Sequence, residues 1–253
     1  MRCTLLLGVF ALATHVGIDE ELHPIQRACD SMPSDVEQIY QTARNYQDKE
    51  HIRGNLIRAH QCFLAAAIRG HVRSQVEVAW DYSDGLGTDE NAHESTRWLE
   101  KAADAEHVAS QYTLAWRYLE GEGVGLDFSV AVGWFRRAAQ NGHADAQNAL
   151  GFLLHRGEKT AKDLVEAVYW YKQAIAQQHI LAMGNLAELV NARPKYRVAR
   201  SLRVLAAAFV DSPVIRELNV GDLVYPVKHL ERWTAVILDD RHTVGWIDNT
   251  SIQ

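Results

Sequence analysis

Four histidines recur at a fixed interval along the chain, and they are the side chains best suited to bind a metal ion. His71, His107, His143 and His179 are each separated by 36 residues. Ligands that share one metal must each lie within about 2.1 Å of it. Equivalent atoms on neighbouring packed helices are about 8–10 Å apart or more. The spacing therefore predicts no metal site and no cofactor, and it favours a structural role at a turn, through a hydrogen bond to an adjoining backbone group.

No catalytic motif is recognisable in the rest of the sequence. A nucleophile elbow, a His-Glu-x-x-His pair and a Walker loop are all missing. The glycine-rich run 121–125 follows a predicted helix rather than a strand, so it does not indicate a phosphate loop. Asp239 and Asp240 fall in an expected hairpin loop, where turn formation explains them. We therefore predict that the protein is not an enzyme.

A set of aromatic residues suggests binding instead of catalysis. Trp80, Trp116 and Phe152 share one column at the same 36-residue interval, and Tyr112 precedes Trp116 by four residues. Residues four apart lie on the same face of a helix. We refer to these four residues as the aromatic stripe. The stripe predicts a groove for a protein or peptide partner, and the alternative is extra packing between adjoining helices.

The same interval organises residues 37–192 into four helical repeats. Small residues and large apolar residues alternate at helical spacing, which predicts a helix packed closely on one side. Three columns show this pattern: Ala59, Ser95, Ala131 and Ala167; Cys62, Trp98, Trp134 and Trp170; and Ala66, Ala102, Ala138 and Ala174. A second helix follows in each repeat, starting near Gln75, Gln111 and Gln147 and closed by Gly85, Gly121 and Gly157. Such hairpins must stack to bury their apolar faces, so we expect a superhelix whose concave surface carries the aromatic stripe.

Short polar residues mark where the first helix of each repeat begins. They are able to accept hydrogen bonds from the free N–H groups of a first turn, and they are Asn55, Asn91, Asp127 and Asp163. Asn91 with Glu94, and Asp163 with Glu166, have the spacing of a capping box. At the other end, Gly70 and Gly142 are suited to a left-handed turn. Because Glu106 and Gln178 occupy the same column, we expect those turns to be strained or built differently.

The assembled motif resembles the Sel-1-like repeat family, which is tetratricopeptide-like. It reads Ala-Gln-x-x-Leu-Gly, Gly-x-Gly-Val, Asp, and Ala-x-x-Trp-Phe-x-x-Ala-Ala-x-x-Gly-His, and residues 111–147 match it most fully. The first repeat, about 38–73, and the fourth, about 146–191, depart from it more. The resemblance implies a mainly α chain, an α/α superhelical solenoid of helical hairpins that binds proteins and has no chemistry of its own, often in the bacterial envelope.

Residues 195–253 change from helical to strand periodicity. Apolar stretches at 218–227, 233–237 and 245–247 are separated by turn residues, as in a small all-β barrel. This region is similar to the bacterial SH3 domain, which implies contact with the cell wall, through peptidoglycan, or with a second protein. Where that family has an Arg-Ser-Gly-Pro turn, this chain has the run 205–209, so a capping helix is an alternative to the expected strand.

The first 13 residues read as a signal peptide. Arg2 precedes an apolar run of nine residues, 5–13, which is too short to span a bilayer. We expect the mature chain to begin near Thr14, with an N-terminal segment at 14–36, and to be periplasmic or secreted. Cys29 and Cys62 would then remain as an even pair, either joined as a disulfide or with Cys62 as a buried thiol.

Charge excludes one class of partner. The 253-residue chain has a formal net charge of −6 and a pI near 6.0, which opposes nucleic-acid binding. The sequence thus predicts an exported cell-envelope adaptor with protein partners and no integral membrane span. The alternatives are a structural subunit of an envelope machine, such as a motor or secretion complex, and a cell-wall-active enzyme that uses the SH3-like domain for targeting.

Overall fold

The computed structural model describes residues 35–49, 52, 54–198, 201–208, 211–238, 240 and 243–249. Within these residues, helices occupy the chain as far as residue 191 and strands occupy it from residue 196 onward. The expected signal peptide, the new N-terminus at Thr14, Cys29, Asp239 and the last residue of the run 205–209 all lie outside them. The chain divides into two compact units, residues 1–105 and 106–253.

The described part of the first unit consists of four helices that pack as successive hairpins. They are α1 (Val36–Gln47), α2 (Asn55–Ile68), α3 (Val72–Asp84) and α4 (Ala92–Asp104). Their apolar positions recur at helical spacing, so one face of each helix enters a common core. The buried side chains at its centre include Ile39, Phe63 and Val78, which are fully buried, and Leu99 at 2% exposure.

The second unit begins with five helices of the same kind. They are α5 (Val108–Glu120), α6 (Phe128–Gln140), α7 (Ala144–Arg156), α8 (Leu164–Ala176) and α9 (Ile180–Asn191). Phe135, Leu150 and Tyr171 are completely buried among the small residues of the repeat columns. A Cβ atom at Gly151 would lie 2.8 Å from Cδ1 of Tyr171, so the missing side chain is what admits that ring. The predicted hairpins of two packed helices are therefore confirmed in this unit.

The polar caps of the first helices are confirmed at three of the four predicted positions. Asp127 Oδ1 accepts from the N–H groups of Ser129 and Val130, at 2.9 and 3.1 Å. Asn91 and Asp163 cap α4 and α8 in the same way. The prediction for Asn55 is wrong, because Gly54 is the cap residue there, with φ of 83°. Asn55 is instead a buried residue of α2, whose amide donates to the carbonyl oxygen of Lys49.

Only one of the two hydrogen bonds of each predicted capping box forms. Asn91 and Asp163 accept from the N–H groups of Glu94 and Glu166, each at 3.1 Å. The Glu94 carboxylate then accepts from Arg97, and that of Glu166 accepts from Trp170 Nε1 and pairs with Arg136. In a full capping box, each glutamate carboxylate accepts from the backbone N–H of the cap residue. Here arginine and tryptophan side chains bond to these carboxylates instead.

The turns after the first helices share one backbone conformation whether or not they contain glycine. Gly70 and Gly142 have φ of 88°, while Glu106 and Gln178 have φ of 62° and 63°. A side chain in this left-handed region costs about 1–2 kcal/mol, because its Cβ approaches the following carbonyl. Of the two alternatives for Glu106 and Gln178, strain is therefore correct, and a differently built turn is wrong.

The C-terminal part of the second unit is a six-stranded antiparallel sheet. Its strands are β1 (Tyr196–Arg197), β2 (Leu202–Leu205), β3 (Val214–Leu218), β4 (Leu223–His229), β5 (Trp233–Leu238) and β6 (Val244–Asp248), in the order β1-β4-β5-β6-β2-β3. Val204, Leu218, Val236 and Ile247 form its own core. Leu202–Leu205 is a strand, and residues 206–208 continue it as bends, so the alternative of a capping helix is wrong for the described part of that run.

The sheet packs against the last complete hairpin of the helical region. Tyr225 on β4 and Ile237 on β5 are buried in the same apolar cluster as Tyr171 on α8. At the start of α8, Lys228 Nζ lies 3.2 Å from Asp163 Oδ2. The sheet thereby covers apolar surface that the next repeat of a solenoid would otherwise bury. In the described part of the chain, every helix is too short or too polar to cross a membrane.

Candidate functional site

The four repeated histidines each begin the second helix of a hairpin. In each case Nδ1 accepts a hydrogen bond from the backbone N–H three residues later, at 3.2–3.3 Å, and these donors are Ser74, Ser110, Ala146 and Ala182. This confirms the predicted bond to an adjoining backbone group. The second helices therefore begin at Val72, Val108 and Ala144, three residues before the glutamines at which they were predicted to start. We call His71, His107, His143 and His179 the capping histidines.

This geometry determines the protonation state that the caps require. An Nδ1 atom that accepts a bond carries no proton, so the cap places the ring hydrogen on Nε2. In agreement, burial lowers the pKa of His107 and of His143. The described residues contain no group of three or more histidine, cysteine or acidic side chains arranged to hold a metal ion.

Three members of the aromatic stripe lie together in the second unit. Tyr112, Trp116 and Phe152 line one groove, with a cavity volume of about 490 Å³, along α5, α7 and α9. The remaining lining residues are Leu119, Phe135, Asp145, Asn148, Ala149, Leu153, Arg156, Glu158, Lys159, His179, Leu181 and Asn185. Trp80 holds the equivalent position on α3 in the first unit, where its side chain is 45% exposed.

The aromatic floor of the groove is held by buried neighbours but stays open to solvent. Trp116 is 37% exposed and packs edge-on against the buried ring of Phe135, with centroids 5.4 Å apart. Tyr112 stacks on His143 at 4.5 Å and meets Trp116 edge-on at 6.3 Å. Phe152 is 43% exposed. Trp116 therefore packs on the core and also lines the groove, while partner binding by the stripe stays a prediction.

Polar side chains surround this floor, and apart from His179 none of them was predicted from the sequence. Asn185 donates from its amide to Asn148 Oδ1, at 2.9 Å. Asp145 Oδ1 lies 3.0 Å from His179 Nε2. The Arg156 guanidinium donates to Glu158, also at 3.0 Å. The two asparagines are 37 residues apart, so a comparison at an offset of 36 does not align them.

The sheet contains a second cavity, of about 340 Å³. Its walls combine charged residues with the edge of Trp233, which is only 8% exposed, and the residues that line it are Ser201, Leu202, Arg203, Leu205, Glu217, Leu218, Asn219, Trp233 and Asp248. Arg232 holds the Asp248 carboxylate at 2.9 Å. Opposite charges and little exposed aromatic surface make this cavity less suited than the groove to an apolar ligand.

Cys62 is fully buried in the core of the first unit and takes part in a disulfide bond. Its partner cysteine lies outside the described residues. The alternative of a buried free thiol at Cys62 is therefore wrong, while the pairing with Cys29 stays a prediction.

Comparison with known proteins identifies the helical hairpins. The Sel1 repeat family matches residues 72–107, 108–143 and 144–179, which are the pairs α3–α4, α5–α6 and α7–α8. Each matched repeat thus begins with the helix described above as the second of a hairpin. These residues are three consecutive Sel1 repeats. The first predicted repeat, at about 38–73, lies before the matched range, although α1 and α2 form a hairpin there. The matched repeats end at residue 179, before the sheet.

The solved structures that resemble the chain include the following two. One is a protective antigen present in uropathogenic Escherichia coli strains that displays an SLR fold, with 25% identity and a TM-score of 0.58 over 67% of this chain. This chain spans 36% of that antigen. The other is a Sel1 repeat protein from Oxalobacter formigenes, with 36% identity and a TM-score of 0.47, covering 50% of this chain and 95% of that one. None of the curated proteins matches the chain.

These findings establish the fold as a Sel1 solenoid followed by an antiparallel sheet. Proteins built from Sel1 repeats are generally scaffolds for protein interaction and are generally non-catalytic.

Proposed function

We propose that the Sel1 repeats of residues 72–179 make this protein a non-catalytic scaffold, which binds a segment of a partner protein in the groove of Tyr112, Trp116 and Phe152. The observation that supports this most directly is the exposure of Trp116 and Phe152, at 37% and 43%, within one groove. Partly exposed aromatic rings grouped in a depression are typical of the side chains that dominate binding energy at protein interfaces.

The size and rigidity of the groove support the same function. Its volume of about 490 Å³ falls in the usual range of ligand sites, about 300–1,000 Å³. Phe135 and His143 hold the rings of Trp116 and Tyr112 in place. A site whose rings are already ordered loses little side-chain entropy on binding. Trp80 occupies the same repeat position in the first unit with similar exposure, and its part in binding stays a prediction.

Site-specific photocrosslinking in intact cells tests this proposal. A photoreactive phenylalanine analogue at position 152 should crosslink a partner protein, because that side chain lines the groove. The same analogue at Tyr169, which is 50% exposed but does not line the groove, should not. The affinity of the purified partner should then fall for Phe152→Ala and not for Tyr169→Ala. Equal crosslinking from both positions, or unchanged affinity for Phe152→Ala, would contradict a groove function.

We further propose that the protein is exported. The disulfide bond at Cys62 supports this, since disulfides persist mainly in oxidising compartments. The measurement is N-terminal sequencing of the protein from its native cells, with a mature chain beginning at or near Thr14 as the expected result. Recovery of intact protein from the cytoplasm, with Met1 or Arg2 first, would contradict export.

For the C-terminal sheet we propose an SH3-like role in contact with the cell wall. The short antiparallel strands and the cavity of about 340 Å³ between them support this role. Isolated peptidoglycan should therefore sediment the full protein but not a variant with Trp233→Ala and Asp248→Ala. If peptidoglycan fails to sediment the full protein while crosslinks from the sheet identify a protein, the sheet serves a second protein partner instead.

A further inference from the structure

We infer that the occupant of the groove is an extended peptide segment of about six residues, with opposite charges at its two ends and a large apolar side chain between them. This inference rests on the proposed groove function and adds the chemical class of the ligand. It follows from how charge is distributed along α7, the helix that runs the length of the groove.

The end of the groove at the start of α7 carries a single negative charge. Asp145 is the anion there, and its side chain is 58% exposed. Its neighbour His179 uses Nδ1 to accept from the backbone N–H of Ala182. The proton of the imidazole is therefore on Nε2, which donates to the Asp145 carboxylate at 3.0 Å. Because Asp145 is the exposed carboxylate at this end, the end is suited to a basic side chain.

The opposite end carries a net positive charge. Arg156 and Lys159 supply two cations, and Glu158 supplies one anion, which pairs with Arg156 at 3.0 Å. The Lys159 ammonium lies over the half-buried ring of Phe128, 4.3 Å from its centroid, and Lys159 remains exposed. Two positive charges and one negative charge give this end of the groove a net charge of +1. It is therefore suited to an acidic side chain or a terminal carboxylate.

The distance between the two ends determines the length of the segment. Asp145 and Arg156 are 11 residues apart on α7, and at about 1.5 Å per residue this separates them by about 16 Å along the helix. An extended chain advances about 3.3 Å per residue. Five steps, and hence about six residues, therefore connect a basic residue at one end to an acidic residue at the other.

The middle of the groove suits the backbone and the central side chain of such a segment. Trp116 and Phe152 offer aromatic surface between the charged ends. Asn148 and Asn185 are joined by one hydrogen bond, and a primary amide has two donors and a carbonyl acceptor, so each keeps further bonding capacity. An extended segment presents N–H and C=O groups that match these amides.

Four capped synthetic peptides test the inference against the full-length protein at low ionic strength. KSLFSE carries opposite charges five positions apart, KSLFSK and ESLFSE carry like charges, and SLKEFS has the composition of the first with its charges adjacent. We expect KSLFSE to bind about fivefold more tightly than each of the others, the size of one or two exposed charge pairs. This preference should vanish at about 1 M salt, because charges are then screened within about 3 Å.

A charge reversal in the protein makes the test specific to the groove. Lys159→Glu changes the net charge at that end of the groove from +1 to −1. KSLFSK should therefore become the preferred peptide by about fivefold. Lys195→Glu makes the same substitution at an exposed residue that does not line the groove, and it should leave the preference for KSLFSE unchanged.

The possible failures separate this inference from the proposed function. If all four peptides bind equally and Phe152→Ala weakens each of them, the charge pattern is overturned and the groove function stands. If none binds, the ligand class proposed here is overturned, and crosslinking from position 152 decides the groove function independently. If Lys159→Glu and Lys195→Glu alter the preference alike, a general effect of net charge replaces the groove-specific one.

Discussion

Replacing Trp116 by alanine should weaken both stability and partner binding, and the structure sets the size of each loss. Emptying a fully buried aromatic site costs about 3–5 kcal/mol. Trp116 is 37% exposed, so about two thirds of that cost applies, and we expect unfolding free energy to fall by about 2–3 kcal/mol. As a groove hot spot, the same ring should contribute about 2 kcal/mol of affinity, or roughly thirtyfold.

Two measurements on each variant separate the loss of stability from the loss of affinity. Urea unfolding followed by circular dichroism measures stability, and titration with the partner captured by crosslinking measures affinity under conditions where every variant is folded. Phe152→Ala should show a comparable affinity loss with a smaller stability loss, because 43% of that ring is exposed.

Tyr169→Ala is the matched control for these variants. Its ring is 50% exposed and packs edge-on against Trp170, with centroids 4.9 Å apart. It should lower stability and leave affinity unchanged. A Trp116→Ala protein with reduced stability and unchanged affinity would refute the groove role of that residue. Unchanged stability would refute its packing role against Phe135.

Three further predictions follow from the turns, the caps and the disulfide. Gln178→Gly should raise unfolding free energy by about 0.5–1 kcal/mol, since glycine removes the left-handed strain at φ of 63°. Glu106→Gly should gain less or nothing in the same urea experiment, because Glu106 also bonds to Arg137 and Asn141, and an equal gain would refute this reasoning. Burial lowers the pKa of His143 in the folded state. The stability that the neutral His143 side chain contributes is therefore complete above the unfolded pKa of about 6.5, and it is lost as pH falls through the folded pKa. His143→Asn keeps a capping acceptor that does not titrate, and its stability should decline less than that of the parent protein between pH 7.5 and pH 5; parallel curves would contradict the assignment. Thiol labelling of the denatured, unreduced mature protein should find no free cysteine if Cys62 pairs with Cys29, whereas two reactive thiols would disprove that pair.

Much of the helical region was predictable because local chemistry repeats at a constant interval. Asp127 and Asp163 cap helices through bonds to residues only two or three positions away. The capping histidines likewise bond three residues along the chain. Interactions of such short range depend on sequence spacing alone, so a self-comparison detects them. The prediction failed at Asn55 because the preceding Gly54 adopts a left-handed conformation that admits a different helix start.

The groove was predictable only in part. The aromatic stripe shares a repeat column, and the structure places three of its members around one cavity. The polar residues do not share a column, and several lie on different elements: Asp145 and Asn148 on α7, Lys159 in the following loop, and Asn185 on α9. Their proximity depends on how α5, α7 and α9 pack.

By itself, the sequence determined the period, the two helices of each hairpin, three of the four polar caps and the change to strands near residue 195. Each of these arises from contacts between residues close in the chain. Only the tertiary structure decided that Trp116 both packs on Phe135 and lines the groove, that Asp145 and Lys159 line that same groove, and that the sheet covers α8 through Tyr225. These features join side chains from separate helices and strands, and packing geometry sets their distances while sequence spacing does not.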